Sequence, residues 1–206
     1  MAKKAAKNVK NVKEAAVMAA LTLAAEKGWN NVGLREVAKK AKIALPELHE
    51  HFDDRLDIIA AWGRQLDRQV LNEIGDADLS SPARDRLFDI LMARFDALNE
   101  NRDGAKAILR SLRTDPKQAV IALPHLGRSM SWMLEAAGIE TAGVKGALKI
   151  AGLAAIYLKS LWVWCDDESA DMAKTMAALD KNLGRAAQWA DSFGVAADKF
   201  SRGGHE

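Results

Sequence analysis

The sequence predicts an all-α protein. Apolar residues recur at spacings of three and four along most of the chain, and no stretch has the strict alternation of a strand. Pro occurs only 4 times in 206 residues, while Ala, Leu, Lys, Glu and Arg abound. Hydrophobic residues make up 49%, enough for a sizeable core in one helical domain or in a small head on a larger helical body. The formal net charge is only +2, so any affinity for nucleic acid must come from a local patch.

The elements follow in order. Residues 1–13 carry Lys3, Lys4, Lys7, Lys10 and Lys13 without an acid, and read as a solvated tail or as a basic arm against phosphates. A first helix is expected from about Asn11 to Lys27, with Val12, Ala16, Ala19, Ala20, Leu23 and Ala24 as its apolar stripe. Gly28 should end it in the left-handed region. A second helix covers about Leu34 to Lys40, turning Leu34, Val37, Ala38 and Ala41 inward. A turn at Lys42, Ile43 and Ala44 leads to a third helix from about Leu45 to His51, with Pro46 in its first turn, where the missing N–H costs little. Asp53 and Asp54 can cap a long fourth helix, about Arg55 to Ile74, whose stripe is Leu56, Ile59, Trp62, Leu66, Val70 and Ile74.

Gly75 to Pro82 reads as a linker between head and body. Five further helices are expected, roughly at 82–99, 103–113, 116–137, 142–166 and 170–192. Pro124 should kink or split the third of these, and the final SRGGHE should be disordered. The domain reading is therefore 1–54 as arm and head, 55–81 as connection, 82–195 as body and 196–206 as tail.

Cys165 is the only cysteine, so no intramolecular disulfide forms; in its apolar surroundings it reads as a buried reduced thiol. The most apolar stretch, 147–165, is interrupted by Lys149 and Lys159 and reads as a buried helix, not a membrane span. The Lys-rich start is not followed by the apolar segment of a signal peptide. The expectation is a soluble cytoplasmic protein with no transmembrane segment. No metal-binding His/Cys spacing, nucleophile elbow, P-loop or dinucleotide fingerprint occurs, which argues against an enzyme and calls for no cofactor.

Residues 15–56 carry the helix-turn-helix pattern, in which a short second helix is presented to the major groove. The run Ala25-Glu26-Lys27-Gly28-Trp29, then Leu34-Arg35-Glu36-Val37-Ala38, Ala41, Ile43, Leu48, His51 and Phe52 resembles, without gaps, the DNA-binding head of the TetR family of bacterial repressors. The resemblance implies a helical TetR-like fold whose body binds a small molecule and whose last two long helices pair with a second copy. It also implies a DNA-contacting set: Lys3, Lys4, Lys7, Arg35, Lys39, Lys42, Ala44, Leu45, Glu47, His49 and Glu50. The departures from the family pattern sit in that set. Gly33 replaces a hydroxyl residue before the second helix, Leu45, Pro46 and Glu47 replace small polar or basic residues, and His49 replaces an aromatic hydroxyl. Glu47 and Glu50 are repelled by phosphates and rewarded only by a cytosine amino group.

Residues 157–183 are similar to the TetR-like lipid-binding accessory proteins of ubiquinone biosynthesis. The matching residues are Trp164, Asp166 or Asp167, Ser169, Asp171, Thr175, Leu179, Asp180 and Leu183. Ser169 and Asp171 also read as the N-cap region of the last helix. An apolar pocket in the body would use larger side chains such as Phe88, Met92, Phe95, Trp132, Met133 and Tyr157. The expected partners are an operator in double-stranded DNA, a small apolar effector or lipid, and a second copy of the chain. The expected function is a ligand-responsive transcriptional repressor. The alternative is a lipid-binding accessory protein that does not read DNA.

Overall fold

The computed structural model describes the backbone of residues 2–75 and 79–202 and the side chains of residues 11–75 and 79–188. Among these residues the regular structure is entirely helical. In order it comprises α1 (Ala2–Lys27), a 3-10 turn (Trp29–Asn31), α2 (Leu34–Ala41), α3 (Leu45–His49), α4 (Arg55–Ile74), α5 (Ala83–Asn99), α6 (Arg102–Thr114), α7 (Pro116–Ala136), α8 (Gly143–Asp166) and α9 (Ala173–Arg202).

Most boundaries fall within two or three residues of expectation, and the departures have physical reasons. The basic segment before Asn11 is helical: it continues α1 back to Ala2, because Ala and Lys are strong helix formers and no Gly or Pro interrupts them. α3 stops at His49, since the Glu50, His51 and Phe52 amides fold back onto the Pro46 and Leu48 carbonyls. α7 runs unbroken through Pro124. The carbonyl that Pro124 cannot serve belongs to Val120, and both residues are exposed, so water can take its place. α9 starts only at Ala173, after Met172 adopts a φ of 53°, and extends to Arg202 with no Pro to stop it. Of the expected tail, residues 203–206 lie outside the described set.

By contact the chain forms two compact units, Met1–Glu73 with Arg94–Ser129, and Ile74–Ala93 with Met130–Glu206. Residues 94–129 thus group with the residues of the head. In the first unit α1 buries Ala16, Val17, Ala20, Leu21 and Ala24, and α6 buries Gly104, Ala105 and Ile108. The two helices touch backbone to backbone, because a Cβ on Gly104 would lie 2.4 Å from the Leu21 carbonyl oxygen. Deeper in the unit, Arg94 of α5 donates to the Asp67 carboxylate of α4, which also accepts from Ser129 Oγ of α7 at 2.5 Å. Asp67 and Arg94 are 8% and 4% exposed, so this is a buried ion pair with a hydrogen-bonded hydroxyl.

In the second unit α8 packs on α9. Leu153, Tyr157, Leu161 and Trp164 of α8 are buried, as are Leu179 and Leu183 of α9. α8 has the length and composition of a membrane span, with mean hydropathy 1.3, but only about one face of it is covered within this unit. Cys165 is a buried thiol outside any disulfide, as the sequence predicts. The turn between α8 and α9 is organised by Asp167. Its Oδ2 accepts from the Thr175 amide and Oγ1, both at 2.8 Å, and its Oδ1 accepts from the Ser169 amide at 3.1 Å and from Ser169 Oγ. Burial pushes the Asp167 carboxyl up, but the bonds from Ser169 and Thr175 outweigh it and hold the group well below its ordinary 3.8.

Two outcomes follow for stability. Gly104→Ala forces α1 and α6 apart and should lower the unfolding free energy by about 2 kcal/mol, read as a drop in the urea midpoint. Asp167 is charged and stabilising above its ordinary range, and its contribution disappears as pH falls through the lowered folded value. The stability gap between wild type and Asp167→Asn is therefore widest at neutral pH and narrows below about pH 4, measured by urea unfolding across pH.

Candidate nucleic-acid interface

The helix-turn-helix is built from small local devices. Gly28, at φ 79° and ψ 143°, turns the chain out of α1 with the positive φ expected of it, although not in the left-handed helical region. Trp29 is 1% exposed and plugs the space behind the 3-10 turn. At the start of α2, Gly33 has no hydroxyl to cap the helix. The helix instead closes its end from within: Glu36 Oε2 accepts the Gly33 amide at 3.0 Å. Lys27 also donates to Glu36, and this bond, with that of the Gly33 amide, holds the Glu36 carboxyl below its ordinary value. Lys42 ends α2 in the left-handed region, φ 58°, while the Ile43 amide bonds the Ala38 carbonyl at 2.9 Å. Val37, Ala38, Leu48 and Phe52 are buried and lock α2 to α3.

The eight residues of the interface set between Arg35 and Glu50 lie on this one motif. Arg35, Lys39, Lys42, Ala44, Leu45, His49 and Glu50 are exposed, and Glu47 is half-buried. Lys40, beside them, is engaged at 2.6 Å by Glu26 of α1. Among the described residues no ion-pair partner is seen for Arg35, Lys39 or Lys42. Within this set the cations therefore stand on α2 and the turn, while Glu47 stands on α3 and Glu50 at its C-terminal end. His51 is half-buried next to the buried Phe52. Lys3, Lys4 and Lys7 belong to the first turns of α1, and their side chains lie outside the described residues.

The six residues expected to line a body pocket are not alike. Phe95, Met133 and Tyr157 are buried, and Phe88 and Met92 are half-buried. Trp132 is 59% exposed, so it walls no enclosed pocket here. Phe95 falls in the first unit and the other five in the second.

Arg55 was not singled out by its sequence position. It opens α4 and donates through Nη1 to the carbonyls of Val32 at 2.9 Å and Trp29 at 3.2 Å, with a longer contact to Asn30. Its guanidinium also lies 5.6 Å from the centre of the Trp29 ring. Asp54 caps the same helix by accepting the Leu56 and Asp57 amides at 2.7 and 3.0 Å, and Asp57 returns a bond to the Asp53 amide. These contacts tie the start of α4 to the segment that enters the helix-turn-helix.

Comparison with known proteins places both resemblances where the sequence suggested them. Residues 17–62 match the family described as bacterial regulatory proteins, tetR family, and residues 120–190 match COQ9. Among solved structures the chain is similar to the TetR transcriptional regulator from Nitrosomonas europaea ATCC 19718. The TM-score is 0.68 at 27% identity, covering 85% of this chain and 98% of that one. A TetR transcriptional regulator from Rhodococcus sp. RHA1 gives 0.58 at 20% identity, covering 84% and 96% of the two chains. A tetR-family transcriptional regulator from Streptomyces coelicolor gives 0.57 at 14%, covering 92% and 88%. These last two share the fold. No curated protein matches. The chain thus has the helical TetR fold, with a head that matches the tetR family model and a later region that matches COQ9 in one polypeptide.

Replacing Arg55 tests the clamp. Arg55→Lys keeps the charge but loses the planar donor fork and the ring contact, so it should behave nearly as badly as Arg55→Ala. Both should lower stability by about 1–3 kcal/mol and speed amide exchange in residues 29–33.

Proposed function

We propose that the chain is a ligand-responsive, DNA-binding transcriptional regulator of the TetR type, acting as a repressor. The observation that carries this reading is the continuous exposed face of α2, its turn and α3, flanked by Arg35, Lys39 and Lys42. In this reading α3 enters the major groove, and the three cations hold the phosphates on either side. Ala44 and Leu45 offer apolar contact to thymine methyl groups. Glu47 and Glu50 accept from cytosine amino groups, so the half-site contains C·G pairs opposite the acids. Lys3, Lys4 and Lys7 add phosphate contacts from the start of α1. Residues 1–54 act as the head, 55–81 as the connection and 82–195 as the body, where Phe88, Met92, Met133 and Tyr157 supply walls for an apolar effector.

Operation on a palindrome requires two heads about 34–36 Å apart, or a multiple of that spacing, and therefore a dimer. The exposed side of α8 supports one: Val144 and Leu148 are 80% and 69% exposed beside the small residues Ala147, Ala151, Gly152 and Ala155. Met176 of α9 is also exposed. An effector that changes the spacing of the heads releases the operator.

A second reading is a TetR-shaped lipid carrier that does not read DNA. The COQ9 match at 120–190 favours it, as do the two carboxylates on α3 and the exposed Val120, Ile121 and Leu123 of α7.

Mobility-shift titration separates the two readings. The regulator should prefer DNA from its own upstream region to random duplex, with affinity falling steeply as salt rises. Arg35→Gln combined with Lys39→Gln should weaken binding at least about tenfold and flatten the salt dependence. Glu47→Gln with Glu50→Gln should raise affinity for random duplex and erode the preference. A wild-type protein with no salt-sensitive preference, carrying lipid in native mass spectrometry, sinks the regulator in favour of the carrier.

A further inference from the structure

A cleft of about 590 Å³ opens in the first unit between the end of α1, the Trp29–Asn31 turn and one face of α6. It shares no residue with the expected body pocket or the α2–α3 face. On α6 it is lined by Asp103, Lys106, Arg110 and Thr114, which recur at three- and four-residue spacing and so form one stripe, and by the buried Ser111 at that stripe's inner edge. The opposite wall includes Trp29. Its volume lies within the range of small-molecule sites.

Two observations distinguish this cleft from a plain groove between helices. Trp29 and Ser111 both line it, are 1% and 6% exposed, and carry the side-chain atoms Nε1 and Oγ, which are buried with no hydrogen-bond partner among the described residues. Such atoms are rare in folded proteins and mark places where a further partner is expected. In addition, Lys106 and Arg110 lie one turn apart on the same wall, and no ion-pair partner is seen for either among the described residues. An indole N–H and an ammonium only donate, a guanidinium only donates, and a hydroxyl can donate. Asp103 is the one carboxylate facing this set, so the lining is net positive and rich in donors.

We propose that this cleft is a binding site for a small oxyanion-bearing metabolite, a carboxylate or a phosphate ester, distinct from the effector pocket of the body. Lys106 and Arg110 supply charge-assisted hydrogen bonds to the anionic group. Ser111 and Trp29 supply neutral donors at the inner wall. The bound anion bridges α6 to the turn whose carbonyls Arg55 grips, and so stiffens the entry to the helix-turn-helix. The binding itself does not depend on the chain reading DNA.

The test uses the full chain labelled with nitrogen-15, titrated at constant ionic strength with inorganic phosphate in one series and citrate in another. The six tryptophan indole signals are followed, and that of Trp29 is assigned through Trp29→Phe. A saturable shift of the Trp29 indole with either anion is expected, and the series that saturates at lower concentration identifies phosphate or carboxylate as the preferred group. Lys106→Gln with Arg110→Gln should weaken binding at least about tenfold, Ser111→Ala should weaken it less, and Lys145→Gln on α8 should leave it unchanged. Should the double variant fail to fold, Ser111→Ala and Lys145→Gln still separate a specific site from general charge attraction. Absence of a saturable Trp29 shift with both anions overturns the proposal, as does equal weakening by Lys145→Gln.

Discussion

The grip of Arg55 on the Trp29–Asn31 turn is the interaction on which the head depends. A 3-10 turn three residues long leaves carbonyls at its end with no helical partner. Arg55 takes that of Val32, shares that of Trp29 with the Val32 amide, and lies over the indole at the same time. One planar group thus satisfies backbone acceptors, covers the largest aromatic of the region and joins two elements more than twenty residues apart. Its own helix is held in place by Asp54 and Asp57, so the fork is presented from a fixed base. The direction in which the chain leaves the turn toward α2 is set here, and with it the placement of α3.

The second constraint is the approach of α1 to α6. With Gly104 against the Leu21 carbonyl, no side chain separates the two backbones at that point. Close packing of this kind has two discrete outcomes, contact or separation, and little in between. It fixes one end of α6, while small residues and the 3-10 turn leave the cleft open further along. The same helix therefore seals the core at Gly104, Ala105 and Ile108, keeps Ser111 buried on that side, and presents Lys106 and Arg110 toward the cleft. The arrangement follows from the helical period: residues three and four apart share a face, and their neighbours face away.

Local pattern was legible in the sequence, and long-range partnership was not. The helices of the head, the capping role of Asp54 and the apolar face of α8 all follow from spacing within ten or so residues. Gly28 was recognisable as a helix stop from identity alone. The start of α1 was misread because a run of lysines looks like an arm, whereas the alanines between them favour helix. Trp132 was read as a pocket wall from its type, but type does not say which side of α7 faces outward. Arg55, Gly104 and Asp67 act on residues 23 or more positions away in the chain, and nothing near them reveals that. Asp166 and Asp167 were indistinguishable as letters. The structure separates them: Asp167 is fully buried and hydrogen-bonded, and Asp166 is exposed.

That last distinction bears on how the COQ9-like region should be weighed. Trp164, Asp167, Thr175, Leu179 and Leu183 are all buried, and Ser169 and Asp171 accept the Ala173 amide at the start of α9. Asp180 is held by Arg84. Each residue that carries the likeness in 157–183 is thus occupied in capping, core packing or an ion pair. A helix pair turned by an Asp-centred cap keeps these residues whatever its body binds, so this stretch of the resemblance describes how α8 meets α9. The same reasoning applies to the head, where Gly28, Trp29, Val37, Leu48 and Phe52 carry the family register and are consumed by the fold. Function must then be argued from side chains the fold does not use. In the head these are Arg35, Lys39, Lys42, Leu45, His49 and Glu50, with the half-buried Glu47 between them. Cations unpaired among the described residues and placed on α2 and its turn, with Glu47 on α3 and Glu50 just past its end, form an arrangement that packing does not require and that recognition of a phosphate-flanked base edge would employ.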